Sequence, residues 1–151
     1  MSDYSSENIR EIYERHFVTV YRVCFMYLRN VHDTEDAVHN TFMKLIENTS
    51  ELISFCQELN RKPFIAVDLE FLREKSYYAK LCLIQVAAPD TAAIIDPLAP
   101  GIELEAFFAV LHNPEVVKVF HSGRQDIEII YHQAGFIPEP LFDTQTAAQV
   151  F

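Results

Sequence analysis

Two acidic residues stand inside an apolar run near the middle of the chain. Asp68 and Glu70 occur in FIAVDLEF, residues 64–71, which follows Pro63 and is typical of a buried β-strand. Side chains alternate along a strand, so these two carboxylates are expected to point the same way. Neighbouring buried carboxylates are costly unless a cation compensates, a role that suits a divalent metal ion. On this pair alone, a strand end whose acids face solvent or cap a helix is the stronger interpretation.

A third acid follows another predicted strand. Asp126 lies in HSGRQDIEII, early in a predicted helix that comes directly after the strand-like run VVKVF, residues 116–120. Open α/β sheets bind their ligands at the carboxyl ends of strands, where Asp126 is expected. Taken alone, it is an acid at a helix N-terminus, which the helix dipole stabilises by about 0.3–1 kcal/mol. Together with Asp68 and Glu70, it suits a paired-metal site for phosphoryl transfer.

The pattern of elements around these acids predicts an α/β sheet, because strands are followed by helices. A turn at Pro89 and Asp90 predicts a hairpin, and Gly135 is a residue type common at helix C-termini. The predicted elements are helices over residues 50–60, 103–112 and 124–134, and strands over 64–71, 81–88, 92–98 and 116–120.

The composition limits the class of protein without identifying its function. Half of the 151 residues are hydrophobic and three are Gly, which predicts a packed core. The formal net charge of -10 argues mildly against nucleic-acid binding, although metal-binding carboxylates count as negative until ions are bound. The three cysteines form no CxxC pair, and no apolar run is long enough to span a membrane. We therefore expect reduced thiols in a soluble, cytoplasmic protein.

Several runs between about residue 50 and residue 151 carry a family resemblance. They are, in chain order, PFIAVDLEFLREKSYYAKLCLIQVA, AAIIDPLA, VVKVFHSGRQDIEIIYHQAG and LFDTQTAA. This stretch resembles ribonuclease D, which belongs to the 3′–5′ exonucleases that use four acidic residues. The resemblance implies a ribonuclease H-like mixed sheet. It also implies hydrolysis of the terminal phosphodiester at RNA 3′ ends, with single-stranded RNA and tRNA precursors as candidate substrates.

The resemblance further implies a cofactor and its ligands. It places two Mg²⁺ or Mn²⁺ ions at Asp68, Glu70 and Asp126, with Asp68 bridging both. One ion would generate hydroxide and the other would stabilise the leaving 3′ oxygen. The family's third motif, a Tyr and the fourth acid, would lie beyond Phe151. We therefore expect an incomplete exonuclease domain with impaired activity.

Four residues are candidates for substrate contacts, each with a structural alternative. Phe71 could pack against the terminal base or sugar, or belong to the core. Tyr78 could stack on a base, although tyrosine is also common on exposed strands. His121 and Arg124 could contact phosphate, while His121 also fits a structural histidine. Asp143 is expected to cap a helix rather than bind metal.

The first 48 residues differ from the ribonuclease D family. Residues 7–48 carry apolar side chains at helical spacing, which predicts an αα-hairpin. Its second helix is expected to be capped by Asp33 and to continue through Leu45 and Ile46.

Part of this segment resembles another family. Residues 9–47 resemble the start of region 2 of an extracytoplasmic-function sigma factor, a helix pair that docks on RNA polymerase. The resemblance implies polymerase contacts at Asp36, Asn40 and Phe42, while a hairpin without partners is the alternative. We therefore expect two domains, residues 1–48 and 50–151, in a chimeric or truncated chain. The alternative function is a catalytically inactive module that contacts RNA polymerase.

Overall fold

The computed structural model describes residues 21, 25, 29–34, 45–73 and 78–150. The chain divides into two compact units, Met1–Lys44 and Leu45–Phe151. In the first unit, Tyr21 and Phe25 are helical and their rings stack with centroids 6.3 Å apart. The polymerase-contact candidates lie outside the described residues, so the sigma-like segment stays a prediction; they are Asp36, Asn40 and Phe42.

A short helical stretch in the first unit corrects one expectation. Residues 31–34 are helical, and the side chain of Asn30 accepts a hydrogen bond from the backbone N–H of His32 at 2.9 Å. Asn30, rather than Asp33, therefore caps this stretch, because it directly precedes the first helical residue.

The second unit is built on a mixed six-stranded sheet. Its strands are β1 Leu45–Ile46, β2 Phe64–Leu72, β3 Lys80–Ala88, β4 Thr91–Ile95, β5 Val117–Phe120 and β6 Leu141–Asp143. Their order across the sheet is β1, β4, β3, β2, β5, β6. β3 is antiparallel to both β2 and β4, whereas β1 with β4, β2 with β5 and β5 with β6 are parallel. The predicted α/β class and the predicted hairpin of β3 and β4 are confirmed.

Four helices are described in this unit. They are α1 Thr49–Leu59, α2 Glu105–His112, α3 Arg124–Ala134 and α4 Thr144–Ala148. The side chain of Asn48 caps α1 by accepting the backbone N–H of Glu51 at 2.9 Å. α3 ends at Gly135, whose φ of 80° lies in the left-handed region that glycine adopts most easily. The end predicted for this helix is therefore confirmed.

The strand β1 contradicts the helix predicted through Leu45 and Ile46. These two residues pair in parallel with Ile94 and Ile95 of β4. Ile46 is buried, and its carbonyl accepts the backbone N–H of Asp96 at 3.0 Å. A two-residue strand has no periodicity of its own, so its partner in the sheet determines its conformation.

The strand β2 is buried on one face only. Ile65, Val67 and Leu69 are at most 4% exposed, whereas the residues between them are exposed. The burial predicted for the whole run is therefore wrong for its even-numbered face. The physical reason is the alternation of side chains along a strand, which places Asp68 and Glu70 opposite the core.

One hydrophobic core joins the sheet to its helices. α1 and α2 pack against each other, and fully buried side chains come from both, among them Phe55 and Phe107. Burying such a side chain stabilises the fold by about 1.5–3 kcal/mol. Cys56 is free and buried in this core, and burial raises the pKa of its thiol to about 12. In the described part of the chain, no helix has the length and apolar character needed to cross a membrane.

Candidate active site

Parallel pairing brings the carboxyl ends of β2, β5 and β6 to one edge of the sheet. β2 pairs with β5 through Ala66 and Val119, and β5 pairs with β6 through Phe120 and Asp143. The chain leaves β5 at Phe120 and enters α3 at Arg124. The first turn of α3 therefore lies near the carboxyl half of β2, at the edge where open α/β sheets bind ligands.

Asp68 and Glu70 lie together on the exposed face of β2. Leu69 is buried between them and fixes their direction, since a shift by one residue would move both carboxylates into the core. Gln85, the partner of Asp68 on β3, donates from Nε2 to Asp68 Oδ2 at 3.3 Å. The pairing shifts between Glu70 and Phe71, and such a bulge changes the direction of the side chains beside it.

Asp126 lies in the first turn of α3 and is 7% exposed. Its burial, followed by the negative charges of Asp68, Glu70 and then Asp143, raises the pKa of its carboxyl from 3.8 to about 6. The negative charges of Asp68 and Glu70 therefore disfavour ionisation of Asp126, and the roles of the three acids as metal ligands stay a prediction.

The donor set at this edge suits a divalent cation. Carboxylate oxygens are the ligands that Mg²⁺ and Mn²⁺ prefer, and the mutual repulsion of the acids favours cation binding. As the side chains stand, no His, Cys, Asp or Glu group of three or more within the described ranges is gathered closely enough to hold a metal ion. Asp68, Glu70 and Asp126 would therefore have to move closer together to share an ion.

Two aromatic candidates lie in different surroundings. Phe71 is half-buried and packs against the core, which supports its structural alternative. Tyr78 is 59% exposed, and its ring meets that of His132 on α3 edge to face, with centroids 4.5 Å apart. Tyr78 therefore lies at the surface beside α3, and a contact with substrate stays a prediction for both residues.

The two basic candidates flank the turn that joins β5 to α3. Arg124 is the first residue of α3 and is exposed. His121 is also exposed, and its Nδ1 lies 2.8 Å from Thr144 Oγ1. One ring nitrogen of His121 is therefore hydrogen-bonded within the protein, which supports its structural alternative.

The sequence alone missed two contacts at this edge. The side chain of Asp143 caps α4, as predicted, by accepting the backbone N–H groups of Gln145 at 2.9 Å and Thr146 at 3.1 Å. It also accepts the N–H of Gly123 at 2.8 Å, a contact that joins the end of β6 to the turn after β5. The contact of Gln85 with Asp68 was missed as well. The hairpin register between β2 and β3 was the signal that could have revealed it.

Comparisons with known proteins agree with this architecture. Residues 43–151 match the family described as 3′–5′ exonuclease. Ribonuclease D of Nitrobacter hamburgensis is 56% identical over 108 residues, which cover 72% of this chain and 28% of that protein. Ribonuclease D of Bartonella henselae is 48% identical over 112 residues, which cover 74% of this chain and 28% of that protein.

A solved structure has the same fold. The crystal structure of Escherichia coli RNase D matches with a TM-score of 0.66 and 36% identity, over 70% of this chain and 28% of that chain. This likeness identifies the mixed sheet as the ribonuclease H-like exonuclease fold. The chain spans 28% of the length of each of these relatives. Since the family match covers more than half of its residues, the chain belongs to the 3′–5′ exonuclease family and is ribonuclease D-like.

Proposed function

We propose that the second unit carries the metal-binding edge of an exoribonuclease that hydrolyses the terminal phosphodiester at RNA 3′ ends. The observation that carries this proposal is the placement of Asp68 and Glu70 on one exposed face of β2, near buried Asp126 at the carboxyl end of β5. Membership of the 3′–5′ exonuclease family supports the class of reaction.

Two Mg²⁺ or Mn²⁺ ions would be bound by Asp68, Glu70 and Asp126. When bound, such ions activate water and stabilise the leaving oxygen of a phosphodiester. Asp126 is fixed by its burial on α3 and acts as the rigid ligand. Asp68 and Glu70 are exposed and can adjust their side chains to it, so the ligands come from two elements that the core holds together.

RNA is the proposed substrate because the relatives reported above are ribonucleases D, and the Escherichia coli protein is described as an exoribonuclease involved in structured RNA processing. Precursors of tRNA are among the candidate RNAs. The net charge of -10 opposes RNA binding. We therefore expect RNA affinity to depend on bound divalent ions more than on basic side chains.

The candidate substrate contacts have separate proposed roles. Arg124 is exposed at the N-terminus of α3, where the helix dipole also attracts phosphate. Tyr78 would stack on a base, a contact that tolerates any sequence. A contact of His121 with phosphate would use Nε2, because Nδ1 is bonded to Thr144. Phe71 would meet the terminal nucleotide only through the edge that its packing leaves exposed.

These residues supply three of the four acids that the resemblance implies. We therefore propose that hydrolysis by these 151 residues is slow, because the fourth acid and the tyrosine of the third motif, which the resemblance implies, are not among them.

A digest of 5′-labelled single-stranded RNA with Mn²⁺ tests the reaction. We expect a slow ladder of 3′-shortened products that disappears in Asp68→Ala. Asp90→Ala is the matched control, since Asp90 is an exposed acid paired with Lys62, and its ladder should equal that of the wild type. A ladder that persists in Asp68→Ala would contradict the proposed site. No ladder from the wild type would remove hydrolysis from the functions of these 151 residues.

A further inference from the structure

The turn between β5 and α3 adopts a tight conformation. Ser122 has a φ of 59°, in the left-handed region that residues other than glycine seldom occupy. A Cβ on Gly123 would lie 2.5 Å from Phe120 Cβ, so the backbone approaches Phe120 too closely for any other residue type. Such a turn persists only when the surrounding structure holds it. This matters for the candidate site because Asp126 lies in the helical turn that directly follows Gly123.

The carboxylate of Asp143 holds this turn. Its Oδ2 accepts the backbone N–H of Gly123 at 2.8 Å, and its Oδ1 accepts that of Ser122 at 3.3 Å. The same Oδ1 accepts the backbone N–H groups of Gln145 and Thr146 at the start of α4. One carboxylate therefore binds the N-termini of two helices. The hydrogen bond from Gly123, followed by that from Thr146, lowers the pKa of Asp143, so the carboxylate is the form that the turn binds.

Thr144 holds the turn from the other side. Its Oγ1 donates to the carbonyl of Phe120 at 3.2 Å and lies 2.8 Å from Nδ1 of His121. Because the hydroxyl hydrogen is used by Phe120, the Thr144 oxygen accepts from Nδ1–H of His121. Asp143 and Thr144 together thus bind Phe120 at the end of β5 and all three residues of the turn that follows, His121, Ser122 and Gly123.

We infer that Asp143 is a positioning residue for Asp126, an inference that rests on the proposed function. By binding Gly123, it sets where α3 starts and so where Asp126 stands relative to Asp68 and Glu70. Asp143 acts through the backbone, because its carboxylate accepts four backbone N–H groups, three at Oδ1 and one at Oδ2. Substitution of residues that orient metal ligands typically lowers metal affinity by roughly ten- to a hundred-fold.

Two substitutions at Asp143 separate position from charge. Asp143→Asn keeps the shape of the side chain but replaces one acceptor oxygen by an NH₂ donor, so the backbone N–H groups bound at that oxygen, either Gly123 at Oδ2 or the three at Oδ1, lose their acceptor. Asp143→Glu keeps the charge but moves the carboxylate by one methylene group. The matched control is Asn48→Ala, which removes the side-chain cap of α1, a helix that carries none of the candidate residues.

The measurements are the Mn²⁺ dissociation constant by calorimetry and the hydrogen-exchange rate of the Gly123 amide. We expect both Asp143 variants to bind Mn²⁺ roughly ten-fold or more weakly and to exchange the Gly123 amide faster. Asn48→Ala should match the wild type in both. Wild-type affinity or wild-type Gly123 exchange in Asp143→Asn overturns the inference. Wild-type affinity in Asp143→Glu also overturns it, since charge alone would then suffice.

The failure of the proposed function gives a different result. In that case the wild type shows no Mn²⁺ binding that depends on Asp68, and the positioning role for a metal ligand falls with it. If the wild type binds Mn²⁺ through Asp68 and the Asp143 variants bind it equally well, only the positioning inference is overturned.

Discussion

Asp126→Asn is expected to raise the free energy of unfolding of the metal-free protein by about 1–3 kcal/mol at about pH 8. The pKa of this carboxyl rises from 3.8 to about 6 in the folded protein, through burial and through the charges of Asp68, Glu70 and Asp143. Each pKa unit corresponds to roughly 1.4 kcal/mol. Asparagine has nearly the same shape without the charge, so the substitution removes this penalty. Ionised Asp126 therefore lowers the stability of the metal-free protein, a cost that is typical of functional residues.

The pH dependence of this gain has a defined sign. Because the folded pKa of Asp126 is higher than its unfolded value, ionisation destabilises the fold, and stability is lost as the pH rises through that interval. The difference in the free energy of unfolding between Asp126→Asn and the wild type should be close to zero below pH 3.8. It should grow up to about pH 6 and then stay constant.

Urea unfolding in a metal chelator, followed across this pH range, measures the effect. Asp90→Asn is the control with the opposite sign, since its hydrogen bond with Lys62 lowers the pKa of Asp90 and the exposed pair contributes little. An Asp126→Asn protein that is less stable than the wild type at about pH 8 would show that the acids do not repel one another as the structure indicates.

Lys118→Ala is expected to lower the free energy of unfolding by roughly 2–5 kcal/mol. The side chain of Lys118 is fully buried on the core face of β5, beside Ile65 of β2. Its Nζ donates to the carbonyls of Asn113 at 2.7 Å and Glu139 at 2.6 Å. Truncation leaves a cavity and removes the donor from both carbonyls, one of which lies in the segment that leads into β6.

Lys118→Met separates these two effects, because methionine fills most of the volume and donates no hydrogen bond. Burial lowers the pKa of Lys118, so the charge itself is disfavoured and its removal offsets part of the lost hydrogen bonding. We therefore expect the methionine variant to lie between the wild type and Lys118→Ala in chemical unfolding. If Lys118→Ala unfolds at the same urea concentration as the wild type, the buried lysine does not stabilise the strand pairing.

Local pattern was enough to predict the elements that carry the site. Alternation along β2 predicted that Asp68 and Glu70 share a face, and the position of Asp126 after a strand predicted its place at the carboxyl edge. Gly135 predicted the end of α3. These features depend on residues close together in the sequence, so residue type and spacing are enough to predict them.

Long-range pairing determined what the sequence did not reveal. β6 has three residues, too few for a pattern, and exists because it pairs with β5. The second role of Asp143 depends on that pairing, which brings it opposite Phe120. Lys118 lies in VVKVF, where a charged residue predicts a solvent-facing position, yet the carbonyls of nearby Asn113 and of more distant Glu139 allow its burial. Leu45 and Ile46 continued a helical pattern that the edge of β4 overrode.

Calorimetric titration of the wild-type chain with Mn²⁺, beside Asp68→Ala and Asp90→Ala, tests whether Asp68, Glu70 and Asp126 form one divalent-metal site at the carboxyl edge of the sheet. We predict saturable binding in the wild type and in Asp90→Ala, and its loss in Asp68→Ala. Mn²⁺ binding of unchanged affinity in Asp68→Ala, or none in the wild type, would contradict the site.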